Sequence, residues 1–283
     1  MSKNLVVGMI AGYNVDKISP FVLSFRQHSS DEMLLVTDNI SSELEKFLED
    51  NNVYTFIPDE PLTRSTCQIA RYEIYLDCIT DHFQDVENIL IADVRDVIFQ
   101  SDPFAQYPKH SIEFFAEPEM FGNCKNNAPW LAGIYGHDQL TKIANKFVVC
   151  SGTTMGTRSG MIEYLEAMVN EISRLSKAGR TLYGGEDQPM HNYLIYSNTF
   201  NDFSINENGI GPISTMHHSK KLTFNRQGYL LNDDGAVIPV VHQYDRCGPM
   251  SSIFLKNALG LRGKDIAIAA KYAVENFPEH DLG

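Results

Sequence analysis

Along its first hundred residues the chain alternates between two hydrophobic periods. Nearly continuous apolar runs occur in NLVVGMIAGY (4–13), EMLLVTD (32–38), NVYTFIP (52–58) and NILIAD (88–93). Each has the length of a strand and closes on a polar or glycine-bearing segment. Between them, DKISPFVLSFRQH (16–28), SSELEKFLED (41–50) and STCQIARYEIYLDCITDHF (65–83) repeat their apolar positions at helical spacing. In the last of these Ile69, Tyr72, Leu76 and Ile79 form one stripe. Arg71 stands about a third of a turn off that stripe, a position from which it is expected to face the edge of a cleft. Alternation of this kind predicts a mostly parallel sheet with helices on both faces, and a ligand site beyond the carboxyl ends of its strands. Tyr13, Asn14, Asp38, Asp93 and Asp96 all fall there.

The pattern loosens after Phe104. IEFFAEPEMF (112–121) reads as a strand, NKFVVCSGTTMGT (145–157) as a strand entering a glycine turn, and SGMIEYLEAMVNEISRLSK (159–177) as a capped amphipathic helix. EDQPMHNYLIY (186–196) reads as a short helix, and GYLLNDDGAVIPVVHQY (228–244) as a hairpin turning at Asp233, Asp234 and Gly235. GKDIAIAAKYAVENF (263–277) reads as a final helix. With no repeat, low-complexity run or linker, the reading is one continuous α/β domain over 1–283.

Charge narrows the function. With 23 Lys+Arg against 36 Asp+Glu and a net charge of -13, the chain lacks the basic surface that nucleic acid requires. A diphosphate ligand would need a divalent cation or well-placed arginines to offset repulsion. The 5 cysteines are widely spaced and lack a CxxC pair, which reads as reduced thiols in the cytoplasm and not as a zinc site. No apolar run reaches the length of a membrane span and no signal-peptide pattern opens the chain; peripheral membrane association stays open.

The candidate chemistry centres on ILIADVRDVIFQSDPF. Asp93 and Asp96 leave a buried strand, where carboxylates can hold Mg²⁺ or Mn²⁺ against a diphosphate. The plainer alternative is a strand-end turn in which one Asp caps and the other pairs with Arg95. His242, in VVHQYD, follows a second apolar strand and would complete a mixed N/O set suited to Mn²⁺; His217 and His218 compete for that role. Glu186, Asp187 and Gln188 follow a Gly pair, where acidic residues either serve a helix N-terminus or project into a cleft. The small residues around Gly152 either pack tightly or admit a substrate to the backbone. Neither GxxxxGK[ST] nor GxGxxG is present.

In order, these pieces resemble a GT-A type nucleotide-sugar glycosyltransferase over most of the chain, and are most similar to the retaining group that includes glycogenin and the lipopolysaccharide galactosyltransferases. The likeness rests on ADVRDVIFQSDPF, QIARYEIYLDCI, CSGTTMG, the Asp187–Gln188 pair followed by Asn192, and His242. Two departures stand out: the acidic residues are three positions apart where the family has two, and Pro189 stands where that group often has an acidic residue. The resemblance implies a GT-A fold, a Rossmann-like mixed sheet flanked by helices, with a nucleotide-sugar-binding half at about 1–107 and an acceptor-binding half at about 108–283. It implies transfer of a sugar from a nucleoside-diphosphate sugar, UDP being usual, to a glycan or other hydroxyl acceptor, with retention. Asp93, Asp96 and His242 would hold the metal. Arg71, Tyr13, Asn14, Asp38, Gly152 and Asn192 would bind the donor, with Asp187 and Gln188 at the reacting sugar and Glu186 or Asp187 the base if configuration inverts. Two other classes remain open, a catalytically silent carbohydrate-binding protein of the same fold and a metal-dependent phosphohydrolase of the haloacid dehalogenase kind.

Overall fold

A computed structural model of the protein describes residues 3–63, 66–217, 219, 222–247 and 250–261. The helix expected over 263–277 and the competing His218 lie outside these residues.

The first half follows the strand–helix alternation. Strands β1 (Asn4–Met9), β2 (Glu32–Val36), β3 (Tyr54–Phe56) and β4 (Asn88–Ala92) alternate with helices α1 (Val15–Arg26), α2 (Ser42–Asp50) and α3 (Cys67–His82). All four strands run parallel, in the order β3-β2-β1-β4. Period-two alternation sorts their side chains. Leu5, Val7, Ile89 and Ile91 pack beneath α3, whereas Val6, Leu90 and Ala92 face Ile18, Phe21, Val22 and Phe25 of α1 and Leu44 and Leu48 of α2. β1, β2 and β4 are buried on both faces, which explains why they read as continuous apolar runs, whereas β3 at the sheet edge exposes Tyr54 and Thr55.

Local capping sets the helix starts. Asn14 Oδ1 accepts from the Lys17 amide at 3.2 Å, and Ser41 Oγ from the Leu44 amide at 3.2 Å. Pro20 lies inside α1 and cannot donate to the Asp16 carbonyl; the Ser19 hydroxyl donates to that carbonyl instead, at 3.3 Å.

The second half enters the same sheet and makes it mixed. Strand β5 (Val97–Phe99) leaves for a smaller sheet, while β6 (Ile112–Met120), β7 (Phe147–Thr157) and β8 (Phe203–Asn206) extend the main one to seven strands, in the order β3-β2-β1-β4-β7-β6-β8. β7 is antiparallel to both β4 and β6. The glycine turn expected within 145–157 is absent: β7 runs straight through Gly152 and Gly156 for 11 residues. Gly156 and the later Gly160 serve packing, since a Cβ on either would collide with the Ser111 carbonyl. Thr157 then caps α6 (Arg158–Lys177), its Oγ1 accepting from the Gly160 amide at 3.2 Å.

Helices α4 (Asn127–Tyr135) and α5 (His137–Ile143), which the sequence pattern had not indicated, precede β7, and α7 (Asp187–Tyr196) covers the α3 face beside α6. The 228–244 segment is only partly a hairpin. It turns at Asp233–Gly235, and Leu231 bridges Val237 across the turn. Its end instead forms β12 (Val240–His242), which pairs with β5 and with β9 (Ile213–Thr215) in a three-stranded sheet. Strands β10 (Thr223–Phe224) and β11 (Leu230–Leu231) form a small ribbon, and α8 (Ser251–Ala258) packs on β12 through Phe254 and Leu255. Among the described residues no helix is long and apolar enough to cross a membrane, and all five cysteines are free thiols.

Candidate metal centre and cleft

The chain leaves β4 at Asp93, turns through Val94, Arg95 and Asp96, and re-enters a strand at Val97. The Asp93 amide donates to the Gly152 carbonyl at 2.7 Å, so the end of β4 is still fastened to β7. β5 then pairs antiparallel with β12, His242 opposite Val97, and the Gln243 amide donates to the Asp96 carbonyl at 2.6 Å. This register carries His242 to the acidic turn. One ligand atom each from Asp93, Asp96 and His242 fall within 4.8 Å of one another. The three-residue spacing works because a turn, not a strand, separates the two carboxylates.

Each carboxylate is split between two tasks. Asp93 Oδ1 accepts from Arg71 Nη1 at 2.7 Å, and its Oδ2 lies 3.8 Å from His242 Nε2. Asp96 Oδ2 is 3.2 Å from Arg95 Nη2 and 3.6 Å from Arg246 Nη2, and its Oδ1 lies 3.7 Å from His242 Nε2. One oxygen of each is thus pinned by arginine and the other faces the imidazole. His242 is 1% exposed, and its Nε2 is buried with no hydrogen-bond partner. Its Nδ1 lies 3.3 Å from Thr215 Oγ1 and 3.5 Å from Cys150 Sγ, contacts that fix the ring orientation. An orphaned imidazole nitrogen beside two inward carboxylate oxygens fits a divalent cation of the Mn²⁺ or Mg²⁺ kind.

Burial pushes the Asp96 carboxyl up, but His242, Arg95 and Arg246 outweigh it and hold the group below the usual carboxylate range. Tyr13 stands at the same strand end. Burial raises its phenol, within electrostatic reach of Arg95, Asp93 and Asp96. Gly152 is required by contact: a Cβ there would lie 2.6 Å from Asp93 Oδ2 and 2.9 Å from the His242 ring.

A cavity of about 200 Å³ opens from this centre toward α4 and α7, lined by Arg71, Asp93, Glu117, Gly152, Asp187, Gln188, His242 and Arg246 among others. Arg71 is its buried anchor. Nη2 donates to Asp187 Oδ2 at 2.7 Å, to the Ser151 carbonyl at 3.2 Å and to Tyr72 Oη at 3.2 Å, while Nη1 holds Asp93. Burial disfavours the guanidinium charge, but Tyr72, Asp187 and Asp93 more than offset it. Asp187 Oδ2 also accepts from Tyr72 Oη at 3.1 Å and Ser151 Oγ at 3.2 Å. Gln188 reads the β7 backbone: Oε1 accepts from the Ser151 amide at 2.7 Å, and Nε2 donates to the Val149 carbonyl at 3.0 Å.

Several expected site residues take other tasks. Asn192 is fully buried and clamps Val149, its Oδ1 accepting from the amide at 2.8 Å and its Nδ2 donating to the carbonyl at 2.8 Å. It does not line the cavity. Glu186 is also outside the lining, since Arg180 Nη2 at 2.7 Å and the Tyr183 amide at 2.8 Å hold its carboxylate. Asn14 caps α1, and Asp38 Oδ1 accepts from the Gly12 amide at 3.0 Å, so both stand at strand ends as expected but are engaged by backbone. His217 lines the cavity without joining the cluster of ligand atoms.

Three further residues belong to the cleft. Glu117 lies in β6 where the β6–β7 register shifts, beside Pro118. Strict alternation misreads its direction there. Burial pushes its carboxyl up to about 7, and Gln188 Nε2 donates to its Oε1 at 3.3 Å. Arg246 borders the cleft beside Asp96 with a partly exposed side chain. Gln243 takes a left-handed conformation at φ 57, and its buried Oε1 lacks a partner. The only advance signal for Gln243 and Arg246 was proximity to His242.

No protein-family model and no curated protein matches the chain.

Proposed function

We propose that the protein is a metal-dependent glycosyltransferase of GT-A type that moves a sugar from a nucleoside-diphosphate sugar, UDP in first preference, to a hydroxyl acceptor. The observation that carries this is the convergence of Asp93, Asp96 and the unpartnered Nε2 of His242 at the carboxyl end of a parallel β-α-β array, where α/β folds bind nucleotides. Asp93, Asp96 and His242 hold the cation, which when bound supplies positive charge to the diphosphate leaving group.

The remaining work falls to the protein's own side chains. Tyr13, Asn14 and Asp38 border the β1 and β2 ends, on the nucleotide side of the acidic turn. Arg246, beside Asp96, offers a cation to the diphosphate. Arg71 acts by holding Asp93 and Asp187 in place, with Nη1 and Nη2 both engaged by protein groups and its Nε buried without a partner. Gln188 and Glu117 form the wall facing the donor sugar. As the acceptor oxygen bonds to the anomeric carbon, the bond from that carbon to the phosphate oxygen breaks and the nucleoside diphosphate departs; with same-face attack and retention the departing phosphate oxygen takes the hydroxyl proton, and with inversion the proton passes to Glu117. Glu117 fits this better than Glu186 because it lines the cleft with no arginine in ion-pair contact and has a pKa of about 7. Retention of configuration rests on the family resemblance.

The test is a thermal-shift series with UDP, GDP, CDP and TDP, each with and without Mn²⁺, on the wild type and on Asp96→Ala. A nucleotide that binds only the folded state raises the melting temperature by mass action. The expected result is a rise with one nucleotide that requires Mn²⁺ and is lost in the variant. A flat response to all four would overturn the reading.

A further inference from the structure

The cleft has a second wall whose chemistry differs from that of the metal centre. It is built by α4, whose N-terminal residues Asn126, Asn127 and Trp130 border the same cavity, with Gln68 of α3 facing in as well. Trp130 is the chain's single tryptophan and is 47% exposed. Its exposure does not come from a loose helix. Leu131 is fully buried, Tyr135 stacks on Tyr193 with ring centroids 3.9 Å apart, and Tyr135 Oη donates to Glu171 at 2.6 Å. Arg180 Nη1 donates to the Gly133 carbonyl at 3.0 Å, fixing the helix from the other side.

Asn126 and Trp130 are four apart and share one helix face. Asn127, beside them, is 8% exposed; Cys124 Sγ engages its Nδ2 at 3.2 Å, and its buried Oδ1 has no hydrogen-bond partner. Two independent features therefore point to a ligand here, an exposed indole carried on an anchored helix and an unsatisfied amide oxygen. A flat aromatic surface offers dispersion contact to the C–H face of a pyranose ring. The neighbouring amides both donate and accept, as sugar hydroxyls require. Neutral amides suit a neutral ring better than a phosphate, and Tyr13 and Asp38, the residues assigned to the nucleotide, stand beyond the ends of β1 and β2 and do not line this cavity.

We infer that Trp130, with Asn126 and Asn127, forms a subsite for a neutral pyranose ring, the sugar unit of a glycan acceptor. That it is the acceptor rests on the transferase reading; that it binds a sugar rests on the α4 geometry alone.

A single tryptophan makes the test direct, because indole emission reports this residue only. The full chain is titrated with lactose, maltose and cellobiose, with and without UDP and Mn²⁺. At least one disaccharide is expected to shift the Trp130 emission to the blue, saturably. Asn127→Ala should weaken that disaccharide roughly three- to tenfold, as for loss of one neutral hydrogen bond. Trp130→Ala, followed by calorimetry, should lose it while keeping the melting-temperature rise with UDP and Mn²⁺, which also shows that the variant is folded. No response to any of the three disaccharides, or undiminished binding in Trp130→Ala, overturns the subsite. So does an emission change produced by UDP alone, which would make the indole a platform for the base. A disaccharide response without any nucleotide-dependent rise keeps the subsite and sinks the transferase reading; the converse sinks only the subsite.

Discussion

His242 Nε2 lies 3.7 Å from Asp96 Oδ1 because β12 pairs antiparallel with β5, and that pairing brings two distant parts of the chain into one centre. The imidazole is oriented from behind by Thr215 Oγ1, 3.3 Å from Nδ1. Second contacts of this type are worth roughly 10- to 100-fold in metal affinity. Thr215→Val should therefore weaken Mn²⁺ binding by about tenfold or more while leaving the fold intact. Calorimetric titration with MnCl₂ gives the answer. Unchanged affinity would show that the Thr215 contact is not what orients the imidazole, leaving that task to Cys150.

Gly152 is the floor of the centre. A Cβ would sit 2.6 Å from Asp93 Oδ2 and 3.0 Å from His242 Nε2, so Gly152→Ala must displace both. The overpacking should cost about 1–3 kcal/mol of stability. The Mn²⁺-dependent melting shift should disappear at the same time. A variant that keeps the shift would show that Asp93 and His242 do not act together.

Arg71 compensates two carboxylates, and its side chain is only 7% exposed. Arg71→Met leaves Asp187 buried without its cation, and urea denaturation should show a loss of about 3–5 kcal/mol. Asp187→Asn in that background should recover part of it, since the uncompensated charge is then gone. If the double variant is no more stable than the single one, the pair is not the source of the loss.

His191 contributes a pH dependence of its own, outside the cluster of Asp93, Asp96 and His242. It is fully buried with Tyr164 Oη 2.8 Å from Nδ1, and burial, aided by Arg71, lowers its pKa from 6.5 to about 3. Between these values the unfolded chain binds a proton that the folded chain refuses. Its contribution to stability is full above pH 6.5 and falls as the pH drops toward 3, with a slope of at most about 1.4 kcal/mol per pH unit. His191→Gln should flatten the stability profile below pH 6.5 by up to that slope. Equal slopes in wild type and variant would show that His191 titrates normally in the fold.

The strands and helices of the first half were legible from residue pattern because each is specified by contacts close in sequence or by burial on both faces. NILIAD could only be a buried strand, and Asn14 and Ser41 mark helix starts through bonds three residues away. Asp93, Asp96, His242, Asp187 and Gln188 were likewise marked as site candidates by their residue type at element ends, and Arg71 and Gly152 by the family resemblance; all seven border the centre or its cleft. The roles were less legible. Arg71 reads as a ligand-binding cation until its partners are seen, and Asn192 and Glu186 as site residues until their backbone and arginine partners are seen. Glu117 was hidden because the register shift in β6 breaks the alternation on which strand reading depends.

The amino-acid sequence by itself determined the α/β alternation, the apolar strands and the acidic turn that ends β4, since these follow from local periodicity and capping. Only the tertiary structure decided that β7 enters antiparallel, that β12 delivers His242 to that turn, and that α4 sets Trp130 on the opposite wall. Those outcomes depend on pairing register and packing between distant segments, where a shift of one residue would turn every side chain to the other face.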